Sequence, residues 1–302
     1  MLIHIFSHKI YYEIYGAEHS DTLLYLHGGP GASCLDFVNQ AKALSRKMRI
    51  IIFDQFGVLR SDAIAEDEEY NMEYQVEMIE EMRRTLGIEK WSILGHSYGG
   101  MLAVLYAHMY PDSIHRVILD CPSLLFEDSA KSVAEYAREH IESLNNKAAS
   151  ELYQKIKTTD YQGGQESIYD LIALLNCVTD QKLRNYLHGV SFEEYQMSMD
   201  TSGITVDMWK KSDIHLKKLS ERQSAQKVNM MDNFLPVVQG ISLPVLLING
   251  KYDPACTRFQ IEYMMENVPN ITRVVFENSG HFPRIEEAEK YTDTILSFLA
   301  IQ

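Results

Sequence analysis

Residues 91–110 constrain this chain more than any other stretch. A short apolar run, Trp91-Ser92-Ile93-Leu94, leads into Gly95-His96-Ser97-Tyr98-Gly99, and a long helical pattern follows as far as Tyr110 and Pro111. A serine on so tight a strand-to-helix turn needs small neighbours, because a Cβ there would clash. Gly95 and Gly99 meet that need, and Gly100 adds room for helix against sheet. The turn lifts the Ser97 hydroxyl above the strand ends. It also sets the hydroxyl at a helix N-terminus, whose dipole favours developing negative charge.

The flanking sequence repeats the same rhythm. Leu2–Phe6 and Ile10–Tyr15 read as an opening hairpin, and Thr22–His27 and Arg49–Phe53 as buried strands. Ala41–Lys47 and Tyr74–Leu86 read as helices, the second closed by Gly87. Arg116–Asp120 is the next strand. After Pro236 the alternation resumes with strand Pro244–Asn249, helix Thr257–Val268, strand Thr272–Phe276 and helix Ala288–Leu299. Strands alternating with helices imply an α/β fold with a mainly parallel sheet covered on both faces. Between Ser123 and Pro236 the patterns are helical, clearest at Ser129–Leu144 and Ile168–Val178. The expected organisation is therefore a core of residues 1–122 and 237–302 interrupted by a helical insertion, 123–236.

Composition narrows the function. The chain has 302 residues, 46% of them hydrophobic, and a formal net charge of −14. That is globular composition. The acidic balance argues against a nucleic-acid partner or an anionic membrane surface, both of which need clustered cations. Glu66–Glu69 reads as a solvated acidic loop. No run is long and apolar enough for a transmembrane helix, and the N-terminus lacks a signal-peptide pattern. The four cysteines, Cys34, Cys121, Cys177 and Cys256, never form CxxC and read as free thiols of a cytoplasmic protein. Without HExxH, a CxxC pair, GxGxxG or a Walker loop, neither metal nor cofactor is implied. The methionines Met197, Met199, Met208, Met230 and Met231 read as core filler or as the lining of an apolar pocket.

A serine hydroxyl needs a base, and the base needs a third group to hold it. Among 11 histidines, His281 follows the last strand in Asn278-Ser279-Gly280-His281, at the end of the sheet where Ser97 sits. His27 also follows a strand but reads as the organiser of its own loop. The acid is expected between serine and histidine in chain order. Asp253, in Gly250-Lys251-Tyr252-Asp253 after Pro244–Asn249, fits that place, with Asp120 as the alternative. The oxyanion donors expected are the N–H of Tyr98 and the N–H of Gly29 in Gly28-Gly29-Pro30-Gly31, with Gly28 as alternate.

These motifs resemble the proline iminopeptidase (prolyl aminopeptidase) branch of the α/β-hydrolases: His27-Gly28-Gly29-Pro30-Gly31, Asp54-Gln55, Gly95-His96-Ser97-Tyr98-Gly99-Gly100, Gly250-x-Tyr252-Asp253 and Gly280-His281. The resemblance implies the α/β-hydrolase fold, an eight-stranded sheet with a helical cap over a Ser97–Asp253–His281 triad. It implies release of an N-terminal residue from a small peptide. A small ester or lactone is the alternative substrate, and a non-catalytic ligand-binding protein is the alternative of another class. The family pattern D-Q-R-G-x-G-x-S reads here Asp54-Gln55-Phe56-Gly57-Val58-Leu59-Arg60-Ser61, with Phe56 for arginine and Leu59 for glycine. Family members bind the substrate amine with carboxylates, in some cases directly after the catalytic aspartate, where this chain has Pro254. Glu193, Glu194, Asp200, Asp207 and Asp213 in the insertion are candidates by location.

Overall fold

The computed structural model describes residues 1–178, 180, 184, 186–221 and 227–300. Eight strands form one sheet in the order β1-β2-β4-β3-β5-β6-β7-β8. They are β1 (Leu2–Ile5), β2 (His8–Tyr15), β3 (Thr22–Leu26), β4 (Arg49–Phe53), β5 (Trp91–His96), β6 (Ile114–Asp120), β7 (Val245–Gly250) and β8 (Ile271–Phe276). β1–β2 and β2–β4 are antiparallel and every later pairing is parallel. The chain therefore has the mainly parallel sheet expected from its strand–helix alternation, in the eight-stranded α/β-hydrolase form that the resemblance implies.

The central strands are buried on both faces, so they read as continuous apolar runs. Period-two alternation sorts their side chains. Leu24, Ile51, Ile93, Leu119 and Leu247 pack on one face with α2 (Met72–Thr85), α3 (Tyr98–Met109) and α10 (Arg258–Asn267). Leu23, Ile50, Leu94, Ile118 and Leu246 pack on the other with α1 (Val38–Leu44) and α11 (Ala288–Leu299).

Between β6 and β7 the described residues hold helices and no strand: α4 (Phe126–Tyr136), α5 (Arg138–Ser143), α6 (Lys147–Thr158), α7 (Glu166–Cys177), α8 (Phe192–Met197) and α9 (Val206–Ser220). The single helix expected over Ser129–Leu144 is two, divided at Ala137. Ala134, Ala137 and Ile141 all bury into a small core with Ala149, Ile156, Leu174 and Val178. Met230 and Met231 are core residues, whereas Met197 is exposed. The acidic loop is more than solvated surface. The Lys218 ammonium of α9 donates to the carbonyls of Glu66 and Glu68, and Glu68 Oε1 lies 2.7 Å from His8 Nε2.

α9 also fastens the insertion to the loop after β4. Lys211 donates to the carbonyls of Leu59 and Ser61, and buried His215 lies with Nδ1 2.7 Å from the Phe56 carbonyl. α4 is tied to the loop after β7. There the Ser129 hydroxyl donates to the Ala255 carbonyl at 2.7 Å, and Gln260 Oε1 accepts the N–H groups of Leu124 and Leu125. Among the described residues no helix is long and apolar enough to cross a membrane.

Candidate active site

Ser97 sits between β5 and α3 with φ 53° and ψ −117°, a backbone conformation that non-glycine residues adopt only when their surroundings hold them there. The glycines around it explain how the turn survives. A Cβ on Gly95 would overlap the Gly99 carbonyl, and one on Gly99 would overlap that of Leu26. The Ser97 carbonyl accepts from Gly100 at 2.9 Å and Ser123 at 3.3 Å, and its N–H donates to the Asp120 carbonyl at 3.0 Å. The Tyr98 N–H opens α3 and so has no acceptor within the helix.

The loop after β3 presses on this turn. A Cβ on Gly28 would lie 3.2 Å from Ser97 Cβ. Gly29 and Gly31, at φ 124° and 91°, carry backbone that L-side chains avoid. His27 organises this loop as expected. Its Nδ1 lies 2.9 Å from the Gly28 carbonyl, its Nε2 accepts the Gln55 N–H at 3.1 Å, and its carbonyl accepts the Gln55 amide at 3.0 Å.

Asp253 and His281 come from the ends of β7 and β8. Their loops run back to back, since a Cβ on Gly250 would overlap the Gly280 carbonyl. His281 Nδ1 lies 2.9 Å from Asp253 Oδ1, which also accepts the Ala255 N–H at 2.8 Å. Asp253 Oδ2 is buried and meets no N–H or O–H donor. Burial alone would push this carboxyl up. The His281 imidazole opposite it, the Ala255 N–H and the Cys121 thiol together hold it below the usual carboxylate range. The neighbouring His96 ring lies 4.9 Å, centroid to centroid, from that of His281, so the ends of β5 and β8 converge.

Asp120, the alternative acid, is engaged elsewhere. Its Oδ2 accepts from Tyr291 at 2.9 Å, lies 3.2 Å from His96 Nδ1 and faces Arg284 at 3.5 Å. Arg284 is fully buried and pairs with Asp36 at 2.5 Å. Burial and the Arg284 charge bring His96 down to about 4 despite Asp120, so His96 is neutral at ordinary pH. Sequence reasoning missed this buried network beneath the site. The one local signal was an arginine three residues after His281. It also missed Glu286, whose carboxylate accepts the N–H groups of Gly280, His188 and Gly189 and so joins the His281 loop to the insertion.

The insertion carboxylates are placed differently. Glu194 accepts its own helix cap at Ser191 N–H, Glu193 is exposed in the first turn of α8, and Asp200 is exposed and accepts the Ser202 N–H at 3.0 Å. Asp207 pairs with Lys210 at 2.8 Å, and Asp213 is exposed. In the altered loop after β4, Arg60 places its guanidinium against Asp54. Its Nε donates to Asp54 Oδ2 at 2.6 Å and its guanidinium lies 3.8 Å over the Tyr11 ring. Leu59 takes φ 36° where the family pattern has glycine. Its buried side chain packs with Leu35 and Val58 against Ile204 and Met208 of the insertion.

A strained serine elbow, a histidine–aspartate pair and a glycine loop at the carboxyl ends of a mostly parallel sheet define an α/β-hydrolase. The family model for the alpha/beta hydrolase fold matches residues 21–288, and the chain belongs to that family. It is a hydrolase, a peptidase or esterase by the range of chemistry its relatives carry out. Among individual relatives it is similar to the proline iminopeptidase of Saccharolobus solfataricus, 27% identical over 308 residues, spanning 98% of this chain and 90% of the relative. It is also similar to that of Heyndrickxia coagulans, 26% identical over 282 residues, spanning 92% and 90%. The crystal structure of proline iminopeptidase from Mycobacterium smegmatis superposes with a TM-score of 0.71 at 16% identity, covering 99% of this chain and 97% of that one.

Proposed function

We propose that the protein is a serine aminopeptidase that releases an N-terminal residue such as proline from small peptides through an acyl-enzyme on Ser97. The observation that carries this reading is the 2.9 Å His281–Asp253 pair beside the strained Ser97 elbow. His281 takes the Ser97 proton as the hydroxyl attacks the carbonyl, then returns it to the leaving amine. Asp253 fixes the imidazole tautomer and stabilises the imidazolium. The N–H groups of Tyr98 and Gly29 receive the oxyanion, each contributing roughly 3–4 kcal/mol to transition-state stabilisation. Water then hydrolyses the acyl-enzyme. The peptidase assignment rests on the two relatives described above, both proline iminopeptidases by name.

A small-molecule esterase is the second reading. It is favoured by Pro254 directly after Asp253 and by the exposed, locally bonded positions of Glu194 and Asp200. An ammonium in a cleft needs a compensating charge, whereas a neutral ester does not.

Two measurements test the reading. Ser97→Ala is expected to lower kcat by about 10⁴–10⁶-fold, and near-normal turnover would end it. A panel of proline, alanine and leucine β-naphthylamides, their N-acetyl forms and short-chain esters separates the two substrates. Activity that requires the free amine identifies the peptidase, and indifference to it identifies the esterase.

A further inference from the structure

Cys121 follows β6 directly and holds φ 47°, a left-handed conformation in which a β-carbon is strained. Its N–H is tied to the Ile248 carbonyl at 2.8 Å. The side chain is fully buried, and ligand atoms of Cys121, Asp253 and His281 all lie within 4.8 Å of one another. Beyond its contact with the Asp253 carboxylate, triad chemistry gives this thiol no task. Asp253 Oδ2 is likewise buried, and no N–H or O–H donor meets it. A thiol, a carboxylate and an imidazole at this spacing are the donor set that zinc and cadmium favour.

We propose that Cys121, Asp253 and His281 form an inhibitory site for a thiophilic divalent cation such as Zn²⁺. The donors of a tetrahedral zinc stand roughly 3.3–3.8 Å apart, so the thiol closes slightly on the ion while the imidazole and carboxylate, in contact at 2.9 Å, part slightly to admit it. The charges balance. Thiolate and carboxylate contribute two negative charges against the two positive charges of the metal, which leaves a neutral buried unit. Atoms balance as well. The Cys121 proton leaves to solvent, while the His281 proton moves from Nδ1 to Nε2 and the imidazole stays neutral. The fourth position is left to water. The protonated Nε2 can no longer accept a proton from Ser97. That consequence for turnover rests on the reading above, whereas binding does not.

The test uses the full-length protein with Cd²⁺ and Zn²⁺ salts. Cadmium titration, without substrate, is expected to produce a sulfur-to-cadmium charge-transfer band that saturates at one ion per chain and is displaced by Zn²⁺. Cys121→Ser is expected to lose the band, and Cys256→Ser to keep it. With a p-nitrophenyl ester, Zn²⁺ inhibits the parent reversibly on chelation. The activity that remains in Cys121→Ser, measured against its own metal-free rate, is expected to need at least ~10-fold more Zn²⁺ for the same inhibition. Cys121→Ala, checked by thermal melting, serves as the second variant should the serine protein fold poorly. Absence of a band in the parent, or a band and zinc sensitivity that survive loss of Cys121, overturns the assignment. Because the band is read without turnover, a failed hydrolase reading and a failed metal site give different results.

Discussion

At the ends of β6, β7 and β8 buried charges have partners from distant parts of the chain. Arg284 meets Asp36 and Asp120, Asp120 meets Tyr291, and Asp253 meets His281. In the insertion, by contrast, the carboxylates of Glu194 and Asp200 accept N–H groups from their own turn. The first arrangement holds groups in place across the fold, and a substitution there disturbs several elements at once. The second organises local backbone only. The contrast separates chemistry, which needs fixed geometry, from selection, which does not.

The sharpest way to break this comparison sets the two buried aspartates against each other. Asp253→Asn should lower kcat by about 10⁴-fold by presenting the wrong imidazole tautomer, while Asp120→Asn should act mainly on stability. Equal kinetic losses in a p-nitrophenyl ester assay would erase the distinction. Next in size, Arg284→Met leaves Asp36 and Asp120 buried without their cation. It should cost about 3–5 kcal/mol in urea unfolding, and a cost near zero would show the network to be passive.

A third test moves away from the site to Glu80, a buried residue of α2 that accepts from Arg83, Arg84 and Tyr106. Burial opposes its ionisation, but these partners bring it from 4.5 down to about 2. Its folded value is depressed, so its contribution is present above 4.5 and is lost as pH falls towards 2. Glu80→Gln should cost about 1–3 kcal/mol near neutrality and flatten the fall in stability across that acid window, measured by denaturation at stepped pH. Smallest of all, Glu193→Gln and Asp200→Asn should change stability by only about 0.5 kcal/mol and leave KM for a free-amine substrate near the parent value. A large KM rise for the free amine alone, with the acetylated substrate unaffected, would move amine recognition into the insertion.

Legibility followed the same divide. Thr22–Leu26 and Val245–Gly250 are buried throughout, so their apolar runs announced them. The serine elbow was readable because its glycines are dictated by backbone contact. The division at Ala137 was not, because Ala130, Val133, Ala134 and Ile141 keep a helical spacing across it. Nor was the Arg284 network readable, since its partners are 164 and 248 residues away and an isolated arginine carries no period. The insertion carboxylates illustrate the remaining gap. Acidic residues on short polar helices look alike in sequence whether they cap a turn or face a ligand.

Leu59 shows how backbone strain and side-chain packing compete at a single position. Its left-handed backbone costs on the order of 1–2 kcal/mol, yet its side chain is the stud on which Ile204 and Met208 seat. Glycine there would relax the loop and strip the stud together. An engineer seeking a sturdier protein at this residue would therefore be trading a calmer main chain for a looser roof.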